Sequence, residues 1–132
     1  PLAELLPVAS AAEVAEAQKF AQSVRTAEDL LTYIVAITEA TRKHPEVKLG
    51  ASPRASMSLL RASQGLALVR GRDYVTPDDI KAVAVPVLAH RLLLRHSLRG
   101  ADNPGAEVVR QVLEQVEVPA EAVLAAQGQQ GD

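Results

Sequence analysis

The sequence predicts an all-α fold, a single bundle of about five helices. Three observations carry that prediction. Apolar residues recur at helical spacing in successive segments, most of these segments open on a recognisable cap, and no segment shows sustained alternation or an Asn-Gly or Asp-Gly hairpin turn. The chain has 132 residues, of which 48% are hydrophobic, so it can bury one sizeable core but not two. The apolar residues are mostly Ala, Val and Leu, and aromatics make up only 2%, namely Phe20, Tyr33 and Tyr74. That composition suits helices packed closely through small side chains.

Residues 1 to 9, broken by Pro1 and Pro7, read as an extended lead-in. With no initiating Met, the chain reads as a piece of a longer polypeptide. Ser10 and Glu13 have the spacing of a capping box and start the first helix, which carries Val14, Ala17, Ala21 and Val24 with Phe20 beside them. The second helix begins after Thr26, with Glu28 and Asp29 set against its positive end. Its apolar face is Leu30, Ile34 and Ile37, flanked by Leu31 and Val35, and Pro45 stops it near His44.

Ser52 caps the third helix and Pro53 takes its first position, where a missing N–H does no harm. Met57, Leu59, Leu60, Leu66 and Val69 continue it to Gly71, a natural C-terminal stop. Thr76-Pro77-Asp78-Asp79 is the clearest start in the chain, leading into Ile80, Val83, Ala84, Val87 and Leu88. Pro86 lies inside that pattern and predicts a kink near Ala82. His96 to Asn103 reads as a loop, and Asn103-Pro104 opens a fifth helix carrying Val108, Val109, Val112, Leu113 and Val116. A helical turn after Pro119 would close the domain at residue 126, leaving 127–132 as a Gln/Gly-rich disordered tail.

A formal net charge of -2 gives no overall attraction to a phosphate backbone. The basic cluster His90, Arg91, Arg95, His96 and Arg99 has no aromatics with which to stack bases, so it reads as a solvated or subunit-facing surface and not as a nucleic-acid site. There is no Cys, and the three His lack a zinc-site spacing. No apolar run approaches the roughly 20 residues that span a bilayer, and the N-terminus lacks the order of a secretion signal, which leaves the cytoplasm as the default location. No G-x-x-x-x-G-K-[ST] loop is present, and Gly100 to Gly105 reads as a turn because it has no Lys and no preceding strand. No Ser or carboxylate pair has a spacing that marks a catalytic dyad.

The most informative segment is Gly50-Ala51-Ser52-Pro53-Arg54, which puts an arginine in the first turn of a helix. A helix N-terminus already carries about half a positive charge, so a cation there is mildly unfavourable unless an anion joins it. Free N–H groups and a guanidinium pointing the same way would hold a phosphate well. A surface Arg bonded to a neighbouring carboxylate is the plainer alternative that local pattern leaves open. Arg42, Lys43 and His44 lie at a helix C-terminus, where the dipole alone explains cations.

Four blocks occur in order: Thr41-Arg42, Leu49-Gly50-Ala51-Ser52-Pro53-Arg54-Ala55, Gly71 through Asp79, and Leu88-Ala89-His90-Arg91. Together they resemble the C-terminal lid of MoxR-type AAA+ ATPases, over roughly residues 1 to 119. The resemblance implies a helical lid over a nucleotide that a separate α/β core holds, with Arg54 as the sensor-2 arginine that contacts its phosphates. ATP and Mg would belong to the intact parent, and the lid alone would not hydrolyse ATP. Arg42, His90 and Arg91 become candidates for contacts between domains. The implied partners are the core of the same polypeptide, neighbouring subunits of a ring and proteins bearing von Willebrand factor A domains, in chaperone-like assembly or activation of clients. Two readings from other classes remain, a free-standing helical adaptor with a groove for a partner peptide or helix and a helix-turn-helix module.

Overall fold

The computed structural model describes residues 11–95 and 103–120. These residues form α1 (Ala11–Ser23), α2 (Glu28–Lys43), β1 (Val47–Leu49), α3 (Pro53–Val69), α4 (Pro77–Leu88), a 3-10 turn over Ala89–Arg91, β2 (Leu93–Leu94) and α5 (Pro104–Gln115). The fold is all-α, with one small two-stranded sheet. The lead-in, the Ser10 cap, the loop from His96 to Asp102, the turn proposed through Ala126 and the tail lie outside the described residues.

Local chemistry sets most of the boundaries. The Ser52 hydroxyl accepts from the Ala55 N–H at 3.3 Å, and Asn103 Oδ1 accepts from the Ala106 N–H at 3.1 Å. Thr76 and Asp79 form a reciprocal capping box at the start of α4. All three of these helices have Pro in the first turn. The first turn of α2 carries Glu28 and Asp29, and His44 ends it in an extended conformation, as Pro45 requires. Gly71, at φ 80°, makes the left-handed turn out of α3. The α-helix is retained across Pro86 and passes into the 3-10 turn just after Leu88.

Packing then selects one face of each helix. Leu30, Tyr33, Ile34 and Ile37 of α2, Leu59 of α3, Ile80, Ala84 and Leu88 of α4, and Val108, Val109 and Val112 of α5 make one continuous core. Helix α3 contacts α1, α2 and α4, while α5 closes against α2, α4 and the 3-10 turn. Leu31 and Val35 face outward, as does Val69, which is 84% exposed. Gly105 is buried in the first turn of α5, not in a turn as the Gly100 to Gly105 segment suggested.

The sheet corrects the expectation of a chain without strands. Val47 pairs with Leu94 and Leu49 with Leu93, antiparallel, and the Arg95 N–H donates to the Glu46 carbonyl at 2.8 Å. Strands of three and two residues are too short to show a period in sequence. They exist because the chain leaving α2 and the chain leaving the 3-10 turn run side by side and satisfy each other's backbone groups. An isolated parallel bridge likewise joins Arg25 to Tyr74, tying the α1–α2 link to the α3–α4 link.

That α3–α4 link is held by charge. Asp79 is wholly buried, yet it meets the Arg72 guanidinium through both oxygens, Arg70 at 3.0 Å and the Thr76 N–H at 2.8 Å. Arg72 also donates to the Tyr74 carbonyl at 3.0 Å and lies over the Tyr74 ring at 5.4 Å. Burial works against the Asp79 charge, but the hydrogen bonds from Arg72 and Thr76 outweigh it and hold the carboxyl below its ordinary value. A group whose folded pKa is depressed stabilises fully above its unfolded pKa, about 3.9 for Asp, and loses that contribution as pH falls through the folded value. Stability should therefore be insensitive to Asp79 between about pH 7 and 5 and should drop below about pH 4. In unfolding curves measured across that range, Asp79→Asn should flatten the acid limb; an unchanged limb would assign the acid sensitivity elsewhere.

Candidate functional site around the start of helix α3

The first two turns of α3 gather three of the four residues singled out from sequence. Arg54 is the second residue of the helix, is exposed, and has no hydrogen bond or ion pair among the described residues. Acidic residues are absent from this first turn, so nothing local answers its charge. Among the described residues, therefore, no carboxylate pairs with Arg54.

Arg42 reaches the same place from the end of α2. Its Nε donates to the Ala51 carbonyl at 2.8 Å, one residue before the Ser52 cap. Thr41, fully buried, accepts from the Ala51 N–H at 3.0 Å and donates to the Thr38 carbonyl at 2.6 Å. Ser56 in turn donates to Thr38 Oγ1 at 2.9 Å. Both backbone groups of Ala51 are thus held by consecutive side chains of α2. Arg91 bonds to the second turn of α3: its Nε donates to the Val87 carbonyl at 3.1 Å and its Nη2 to Ser58 Oγ at 3.4 Å. Ser58 is one helical turn beyond Arg54 and on the same face. His90 is exposed on the 3-10 turn and is not brought to this cluster by any described contact.

Arg54 and the positive end of α3 meet in one turn that holds no acidic residue. Such an arrangement can bind an anion, and phosphate suits it because a planar guanidinium pairs with two phosphate oxygens at once. Three apolar residues are exposed nearby in the chain or across the small sheet: Leu49 at 65%, two residues before Ala51, its cross-strand partner Leu93 at 52%, and Met57 at 49%, one turn from Arg54. Among the described residues no group of His, Asp and Glu could hold a metal ion, and no helix is long and apolar enough to cross a membrane.

Sequence reasoning missed the Thr38–Thr41–Ser56 chain and the Arg70–Arg72–Asp79 cluster. The signal for the second was present, since two arginines flanking Gly71 precede a capping box whose third helical residue is Asp. Nothing local could have announced the first, in which Ser56 reaches Thr38 across 18 positions and Ala51 reaches Thr41 across 10.

This geometry falls within a known domain type. Residues 39–116 match the AAA lid domain family, and the chain belongs to that family. Its relatives place the lid in the MoxR type of AAA+ ATPase. The chain is 39% identical over 119 residues to the uncharacterised protein YeaC of Bacillus subtilis, covering 90% of this chain and 37% of that one. It is 39% identical over 108 residues to the chaperone MoxR1 of Mycobacterium tuberculosis, covering 75% of this chain and 29% of the relative. A crystal structure of a protein classed as an ATPase from Cytophaga hutchinsonii superposes with a TM-score of 0.69 at 28% identity, over 76% of this chain and 33% of that one. The chain thus spans roughly a third of the length of these relatives.

Proposed function

We propose that this lid closes over a nucleotide held by the α/β core of a parent AAA+ ATPase and that Arg54 is the sensor-2 arginine that contacts its phosphates. The observation that carries the reading is Arg54 itself, an exposed cation with no ion pair among the described residues, at a helix N-terminus inside the family-matched segment. Phosphate would remove the conflict between that charge and the helix field. Exposed Met57, one turn from Arg54, and exposed Leu49 and Leu93 on the small sheet suit surfaces that another body covers.

In this reading the core supplies the phosphate loop and holds Mg, and ATP is the ligand of the intact protein. The chain's own residues do something narrower. Arg54 answers charge on the phosphates, and the clamped α3–α4 link carries the lid as one body when it moves. Neighbouring subunits of a ring would sense that motion. The chaperone name of the mycobacterial relative supports chaperone-like work; client complexes in the cytoplasm and partners bearing von Willebrand factor A domains belong to the proposal through the MoxR likeness alone.

The test is ATP turnover by the intact parent polypeptide compared with the same polypeptide ending before this lid. Turnover should fall at least tenfold without the lid, because a positioned charge at transferring phosphate is worth several kcal/mol. Equal turnover would remove the lid from catalysis and favour the adaptor role.

A further inference from the structure

The Thr41-Arg42 pair has a role that its place at a helix end does not suggest. Arg42 is exposed, and the dipole at the C-terminus of α2 would favour it wherever its side chain lay. Instead its Nε is committed to the Ala51 carbonyl, while Thr41 accepts from the N–H of the same residue. The contact is tight at the backbone as well. A Cβ on Gly50 would fall 2.5 Å from Arg42 Cγ, 2.6 Å from its Cα and 2.7 Å from its N, so only glycine lets the two segments approach this closely. Ala51 itself is buried, and Ser52 follows it as the cap of α3. The end of α2 and the start of α3 are therefore spliced at one residue, three positions before Arg54.

We infer that Arg42 is a positioning residue for Arg54, fixing where the first turn of α3 presents that guanidinium and making no direct contact with nucleotide or core through its charge. The inference rests on the sensor reading of Arg54 given above. Its chemistry is specific: what matters in Arg42 is one N–H donor at the ε position, and not the positive charge. Glutamine carries an amide N–H the same number of bonds from Cα as arginine Nε, and methionine has the same length without a donor.

The experiment measures ATP turnover at saturating ATP in the intact parent polypeptide, for Arg42→Met, Arg42→Gln, Arg54→Ala and the double variant Arg42→Met/Arg54→Ala, with thermal unfolding of each. Arg42→Met should lose about fivefold, the equivalent of one net hydrogen bond. Arg42→Gln should restore most of that loss although it has no charge, and Arg42→Met should cost nothing further once Arg54 is alanine. Unchanged turnover in Arg42→Met, equal loss in Arg42→Gln and Arg42→Met, or a full further loss in the double variant would overturn the positioning role while leaving Arg54 as the sensor. Unchanged turnover in Arg54→Ala would instead sink the sensor reading and this inference with it.

Discussion

Replacing Arg54 with alanine in the intact ATPase is expected to lower ATP turnover by roughly tenfold to a hundredfold while leaving the lid folded. The first half follows from the proposed sensor role. A guanidinium placed at a phosphate would stabilise charge as it develops, at no cost of reorganisation at the moment of reaction. The loss would lie at or below the usual one for such a donor, because an exposed residue would be dry only while a core covers it. The second half follows from what Arg54 does not touch. It makes no described contact within the bundle, so the unfolding midpoint should move by less than about 0.5 kcal/mol equivalent. Arg54→Lys should recover part of the turnover, since it keeps the charge and loses the planar pair of donors. Turnover within twofold of the parent for Arg54→Ala would refute the assignment.

Asp79→Ala should do the opposite, with its large effect on stability. Its carboxylate is buried under two arginines and a backbone N–H, so alanine removes the reciprocal half of a capping box and leaves Arg72, with only 21% of its side chain exposed, without its anion. Removing one partner of a buried pair costs about 3–5 kcal/mol, and the lower end applies because both arginines retain some access to water. Arg70→Ala should cost under about 1 kcal/mol, since its side chain is 45% exposed and Arg72 still neutralises the carboxylate. Chemical denaturation of the two variants side by side settles the ranking. If Asp79→Ala proves no worse than Arg70→Ala, the cluster is not the clamp described above.

How much of this could be read beforehand depends on the range of the interactions. Ser52, Thr76 and Asn103 were legible as caps because a cap bonds an N–H only three residues away. The place of Arg54 in the first turn of α3 was legible for a related reason: that helix start is written within five consecutive residues. Leu31, Val35, Met57 and Val69 were read with the apolar face because periodicity does not say how wide the buried stripe is. Two short strands escaped notice because two or three residues hold no period.

The sequence by itself determined the helical class, the capped helix starts, the family of the chain and the placement of an arginine against a helix field. The caps and the arginine are matters of neighbours within about one turn. The class rests on periodicity along each segment, and the family on four blocks kept in order from Thr41 to Arg91. Only the tertiary structure decided that Arg42 serves Ala51, that Arg91 reaches Ser58 across 33 positions and that Asp79 carries two arginines as well as a cap. Those side chains are long, flexible and charged, with several partners within reach along the chain. Which one they take is fixed by how the core packs the helices, because burial of residues such as Leu59, Ile80 and Val109 sets where the helices lie and the charges pair with what that packing brings beside them.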